Sequence, residues 1–293
     1  MKLGRLILTH RKDYVEKLRR FYLESGRTAF LVIAYNQKTV DPSEFATTDT
    51  FRLVPYCGRG ERFGQPCSVT GQQFRVWIDV MRKFPQIEGW VVHDYDFACR
   101  VPDEAIFSHI RPDEYAMIGK AFPIWQEGME ENTGIDTYPF VNDHRHTHKQ
   151  VPPNPIDVKV HATLMNAFPH YFRGIKTLLC GYGDFLATSR SNFLLLDDPA
   201  IKDLDFGGIE QVPHTIWGAK GVKPVDMRPF YNMKVFLDVV YIPMDVRYDM
   251  VHPAKVWEGE RPTVSERWRN AKWKFKNFVK WLIGYQGWKR KKM

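Results

Sequence analysis

Apolar residues gather along this chain in short dense runs separated by helical rhythms. "GRLILTH" (4–10) reads as a buried strand. "KDYVEKLRRFYLESG" (12–26) follows with helical periodicity and a glycine stop, and "TAFLVIAYN" (28–36) is a second apolar strand. A β-α-β opening implies parallel strands joined by a crossover helix. After polar residues 37–50, "FRLVPY" (51–56) predicts another strand. A glycine-rich loop (57–67) leads into residues 68–85, where Phe74, Trp77, Ile78 and Met81 fall at helical spacing and Pro85 marks the stop. "GWVVHDYDF" (89–97) and "DEYAMIGKAF" (113–122) read as strands. Residues 123–158 are rich in polar residues and proline and read as a loop. The pattern then predicts a helix over 159–175, and a strand, a turn and a helix over 176–198. With no repeat, no low-complexity tract and no linker before about residue 255, the expectation is one α/β domain over 1–255, with halves 1–122 and 123–255, followed by a tail over 256–293.

The 293 residues, 44% hydrophobic and 14% aromatic, suit a globular chain with a substantial core. No apolar run approaches the ~18–20 residues that a membrane-spanning helix needs. The N-terminal apolar stretch "LIL" is too short for a signal peptide and reads as the first core strand. Four cysteines without CxxC spacing read as free thiols in a reducing compartment, with a Cys57–Cys67 loop bridge as the other reading. Net charge is +8, but it is unevenly spread. Residues 261–293 carry 11 Lys/Arg and one Glu, net +10, which leaves residues 1–260 with 31 Lys/Arg and 33 Asp/Glu, net −2. A near-neutral body with a basic tail is not the basic face of a nucleic-acid-binding fold, and no nucleic-acid partner is expected.

The strand "GWVVHDYDF" ends in Asp94-Tyr95-Asp96, two carboxylates at i and i+2. Two carboxylates with one facing are costly unless a cation or a proton neutralises part of the charge. D-x-D also arises by chance, and a second copy stands at Asp203-Leu204-Asp205. Position discriminates between them: ligands of open α/β sheets sit beyond the carboxyl ends of strands, and only Asp94 and Asp96 directly follow a clear buried strand. Mn²⁺ and Mg²⁺ prefer carboxylate and phosphate oxygens, so such a pair can hold the ion while a diphosphate completes its shell. The plainer reading is two capping or turn aspartates.

These features resemble the nucleotide-sugar glycosyltransferases of the GT-A fold, whose βαβ nucleotide-binding half is followed by a DxD motif after a central strand. The resemblance covers residues 5–122 in element order. It implies a GT-A-like, Rossmann-type, mostly parallel sheet flanked by helices, with Asp94 and Asp96 as the metal and diphosphate pair. It also implies that the strand ends around Thr9, His10, Tyr35 and Asn36 hold the nucleotide. Farther on, residues 181–217 are similar to the acceptor side of inverting branching N-acetylglucosaminyltransferases and protein xylosyltransferases. Phe185, Ser189 and Arg190 match the spacing of a "G-S-x-W/F-x-x-L-S-R" segment, with Gly183 one residue too close. Glu210 lies five residues before Thr215, as in the "E-x-x-x-P-T" segment, although Pro213 is displaced by one and His214 stands where that family has proline. An inverting transfer needs a base for the acceptor hydroxyl. The resemblance gives that role to Glu210, with Asp184 and Asp205 as the other carboxylates in reach and Asp184, Ser189 and Arg190 on the acceptor side.

"HTIWGAKGVKP" (214–224) is loosely similar to the "H-x-x-G-x-x-K-P" segment of glycogenin-like retaining transferases, with stretched spacing. That likeness implies His214 as a third metal ligand and Lys220 or Lys223 against the diphosphate. The cluster Asp143, His144, His146 and His148 has metal-compatible spacing, yet a solvated loop explains it as well.

The tail "VSERWRNAKWKFKNFVKWLIGYQGWKRKKM" (264–293) reads as a basic amphipathic C-terminal helix, with Trp268, Ala271, Phe275, Phe278, Val279 and Leu282 sharing a face. Trp interleaved with Lys/Arg suits the headgroup level of an anionic membrane, and packing on the body is the competing reading. The expectation is therefore an enzyme that uses Mn²⁺ or Mg²⁺ to move a sugar from a nucleotide diphosphate donor, a UDP-sugar first, to a glycan or lipid-linked acceptor. It would be cytoplasmic and peripheral to the inner face of a membrane. Retention with His214 on the metal, or a non-catalytic glycan-binding protein at the membrane surface, are the alternatives. A helical HD-type phosphohydrolase is disfavoured because His93-Asp94 sits on a strand.

Overall fold

Seven consecutive buried residues, Leu3–Thr9, form β1 and place it in the interior of the sheet. A strand buried on both faces reads as a continuous apolar run, which is the signature of a parallel interior strand. The computed structural model describes residues 1–56, 73–119, 121–126, 177–181, 183–199, 212–235, 242–243, 248–252 and 254–256, with six helical residues between 264 and 275. Cys57, Cys67, the cluster at 143–148, Asp203, Asp205 and Glu210 lie outside them.

The described strands are β1, β2 (Leu31–Asn36), β3 (Phe51–Tyr56), β4 (Gly89–Asp94), β5 (Ala98–Cys99), β6 (Glu114–Met117), β7 (Phe122–Gln126), β8 (Thr177–Cys180), β9 (Phe185–Ser189), β10 (Lys223–Asp226), β11 (Met233–Val235), β12 (Ile242–Pro243), β13 (Met250–His252) and β14 (Ala254–Val256). The main sheet has the order β10-β6-β9-β4-β1-β2-β3, and β9 alone runs antiparallel to its neighbours. The fold is α/β, a mostly parallel mixed sheet flanked by helices in a Rossmann-like arrangement. From β1 the chain moves outward through β2 and β3, then returns to the other side of β1 as β4. The topological switch therefore lies between β1 and β4, where the register pairs Leu8 with Asp94. Such switch points open a crevice beyond the carboxyl ends of the two strands.

Alternation along the strands builds two cores. Leu6, Leu8, Val32, Ala34, Trp90 and Val92 face helices α2 (Gln73–Lys83) and α5 (Val212–Ala219). Ile7, Ile33, Val91 and Ala187 face α1 (Lys12–Leu18) and α3 (Asp103–Phe107). The helix expected over 12–26 changes character midway and continues as a π-helix, Arg19–Glu24. The strand expected over 113–122 is broken, because Gly119 adopts φ +85° and its N–H donates to Asp226 Oδ1 at 2.9 Å. The loop expected over 123–158 begins instead inside β7, paired with β8. Short helix α4 (Arg190–Leu194) follows β9. A small second sheet, β11-β13-β5, lays residues 250 and 251 antiparallel on Cys99 and Ala98. Among the described residues no helix is long and apolar enough to cross a membrane.

One charged residue sits inside β1. Arg5 is fully buried, pairs with Asp103 at the start of α3, and donates from Nη2 to Val101 O at 3.2 Å. Burial opposes the charge of Arg5, but Asp103, Cys99 and Tyr22 together more than offset that and the guanidinium stays protonated. Burial pushes the Asp103 carboxyl up against the pull of Arg5. Removing one member of such a pair strands a buried charge, whereas replacing both with apolar groups need not be costly. Asp103→Ala is expected to lower stability by about 3–5 kcal/mol. Arg5→Met with Asp103→Leu should recover most of that loss, both read from urea denaturation midpoints.

Candidate functional site

Asp94 ends β4, and the chain turns at once: Phe97 N–H donates to Asp94 O at 3.1 Å. Tyr95 N–H donates to Leu8 O at 3.1 Å, so the turn is fastened to the carboxyl end of β1. The side chain between the two aspartates is packed against its neighbours. Tyr95 meets the rings of Tyr14 (4.8 Å) and His10 (5.0 Å) edge-on. Burial, with Asp96 beside it, raises the Tyr95 phenol above its ordinary value. Arginine has only donors, so the 3.5 Å contact from Arg5 Nη1 makes His93 Nε2 an acceptor and leaves Nδ1–H to donate to Asp94 O at 2.8 Å. Burial, then Arg5, holds His93 well below the usual imidazole range, so it is neutral.

Two distant segments complete the site. Because β9 is antiparallel to β4 and pairs Phe185 with His93, its first end brings Asp184 to the carboxyl end of β4. The pairing of β13 with β5 brings His252 to the same place. His252 Nε2 lies 3.5 Å from Asp96 Oδ1 and 3.9 Å from Asp184 Oδ2. Burial opposes its protonation, yet the hydrogen bond to Asp96 and the charges of Asp184, Asp96 and Asp94 outweigh that, and its pKa is raised. The His252 and Asp96 side chains are about one-seventh exposed (13% and 14%) and Asp184 one-quarter (25%), so the cluster is sheltered but reachable. The donor set, carboxylates with one imidazole, is the chemistry that Mn²⁺ or Mg²⁺ takes. Among the described residues no closed set of three or more metal ligands is formed, so other oxygens would have to complete the shell of an ion held here.

Of the residues expected to hold nucleotide, four stand at the carboxyl ends of β1 and β2. Thr9 is buried, accepts Arg11 N–H at 3.0 Å, and its carbonyl accepts the Tyr56 hydroxyl at 3.1 Å. His10 O accepts from the Thr39 hydroxyl at 2.6 Å. Tyr35 is buried, and burial raises its phenol. Asn36 is fully buried, and its Oδ1 accepts Lys38 N–H at 3.0 Å while its Nδ2 finds no partner among the described residues.

Four other expectations are corrected. Lys223 opens β10, parallel to β6 and paired with Glu114, and so stands at the amino ends of the parallel strands, away from the acidic pair. Ser189 and Arg190 close the antiparallel β9 and face Gly89, the first residue of β4, again at the far end. Their work there is structural: Ser189 Oγ caps α4 by accepting Asn192 N–H, and Arg190 Nε donates to Met81 O at 2.6 Å. His214 is a fully buried residue of α5 whose Nδ1 shares a 2.9 Å hydrogen bond with Tyr115 Oη. The histidine at the acidic pair is His252, which the sequence reading missed. Its strand is three residues long and carries no periodic signal; only the short apolar step Met250-Val251 before it hinted at a strand end.

No family model matches the chain, and no curated protein matches it.

The packing of His214 is testable by substitution. A Cβ built at Gly181 would lie 2.7 Å from His214 Nε2 and 2.7 Å from Met117 Cε. Gly181→Ala is therefore expected to cost about 1–3 kcal/mol in a urea melt through overpacking. His214→Gln should likewise lower stability, because it breaks the buried bond to Tyr115, as read from the same urea melts.

Proposed function

We propose that this chain is a metal-dependent glycosyltransferase of GT-A type, taking a nucleotide diphosphate-sugar, a UDP-sugar first, as donor. One observation carries the reading: Asp96, Asp184 and His252 converge beyond the carboxyl end of β4, at the switch between β1 and β4. Asp94 and Asp96, with His252 beside them, would take Mn²⁺ or Mg²⁺ together with oxygens of the diphosphate, whose departing charge the ion would neutralise. The ends of β1 and β2, around Thr9, His10, Tyr35 and Asn36, would receive the nucleoside. Asp184 approaches from β9 on the side where an acceptor would enter. A proton must leave the attacking hydroxyl, and Glu210 keeps that role in the inverting reading. An imidazole beside the acidic pair favours a second reading, retention with histidine on the metal, in which His252 takes the place expected of His214.

The acceptor in this reading is a glycan or a lipid-linked sugar at a membrane surface. Residues 261–293 carry net +10, and Val264, Trp268 and Phe275 are exposed. Basic residues near an anionic bilayer contribute about 1 kcal/mol each, which supports peripheral attachment at the inner face.

Calorimetric titration of UDP and of GDP with and without Mn²⁺ tests the donor site. Wild type should bind one nucleotide only with Mn²⁺, and Asp96→Asn and His252→Ala should each weaken that binding by tenfold or more, an order expected for lost metal ligation or its support. Absence of binding to either nucleotide would sink the transferase and leave a non-catalytic surface protein. Product anomeric configuration separates inversion from retention.

A further inference from the structure

Beneath the site runs a column of three rings. Phe97 stacks on Phe185 (5.1 Å, 24°) and on His252 (5.8 Å, 27°). Each ring is tied to a site group: Phe97 follows Asp96, Phe185 follows Asp184, and the third ring is His252 itself. The His252 imidazole is seated directly on the Phe97 ring, so its position is coupled to the seating of that ring, which is wholly buried.

That seating has its own fastener. Tyr22 belongs to the π-helix Arg19–Glu24 and is fully buried. Its hydroxyl donates to Phe97 O at 2.9 Å and accepts Cys99 N–H at 3.0 Å, spanning the turn that leaves the acidic pair and the first pairing of β5 with β13. The Arg5 guanidinium lies 4.3 Å from the centre of the Tyr22 ring, which fixes the ring from beneath. π-Helical turns are uncommon and gather at functional sites. Here the widened turn carries the tyrosine that reaches the loop.

We propose that Tyr22 is a positioning residue whose hydroxyl, through Phe97, holds His252 in the geometry that receives a divalent cation beside Asp96. This rests on the metal-dependent reading of the site given above. A tyrosine serving only the core would be worth its two buried hydrogen bonds and would act on the whole fold alike. A tyrosine acting through the ring column must lose its effect on metal binding once His252 is gone.

The test uses the full chain with Mn²⁺ alone as probe. Tyr22→Phe keeps the ring and the contact with Arg5 and removes only the hydroxyl. It should weaken Mn²⁺ about tenfold, as loss of a ligand-orienting partner does, and should have no further effect in a His252→Ala background. In metal-free protein at fixed pH, the His252 ring resonances should move in Tyr22→Phe. Unchanged Mn²⁺ affinity in Tyr22→Phe, or the same loss with and without His252, overturns the proposal. If wild type takes up no Mn²⁺, the metal reading fails, and the clamp is judged on the His252 resonances alone: moved supports it, unmoved overturns it. Should Tyr22→Phe not fold, Phe97→Leu, which removes the stacked ring and keeps most of its volume, is read against the same outcomes.

Discussion

The buried Arg5–Asp103 pair is the constraint on which the rest of this structure hangs. A guanidinium in the interior of an apolar sheet is tolerable only with its charge and its donors answered. Asp103 answers the charge, Val101 O takes one donor and His93 another, and the Tyr22 ring covers the face. Every one of those partners lies on, or grips, the segment between β4 and α3. Satisfying one cation therefore dictates the path of residues 93–103, the stretch that contains the acidic pair. Electrostatics inside the core sets geometry at the surface.

The site is an outcome of strand direction as much as of residue identity. Parallel β1, β2 and β4 deliver Thr9, Asn36 and Asp94 to one end of the sheet. The lone antiparallel strand β9 delivers its beginning there and its end to the opposite edge. Reversing β9 would exchange Asp184 for Ser189 at the crevice.

This also marks what could be read from the residues. Strands β1 to β4 and helix α2 were legible because each is a dense apolar run or a helical stripe bounded by glycine, proline or polar residues. The acidic pair was legible as a pair because the strand before it was so clear. Ser189 and Arg190 were misplaced because hydrophobic pattern fixes which face a side chain takes and says nothing of which way the strand runs. His214 was misassigned and His252 missed for a related reason. The first lies on a mostly apolar helix that buries its polar ring against Tyr115, and the second arrives through two register pairs with β5. Neither arrangement leaves a trace at the level of spacing. Burial of Arg5 was equally hidden, since its partner stands 98 residues away.

The insertion of β9 between β4 and β6 has a consequence for synthesis on the ribosome. Strands β1 to β4 are made within the first 94 residues and can pair among themselves, yet β4 then has no neighbour on its outer side until β9, residues 185–189, has emerged. At typical translation speeds of about 5–20 residues per second, the gap lasts roughly 5 to 20 s. Throughout it an apolar strand, "GWVVHD", presents an open edge of the kind that recruits other strands. The nascent protein thus passes through an interval in which its own central sheet is an unfinished template, and a helper that shields that edge would raise the yield of folded chain without touching the finished molecule.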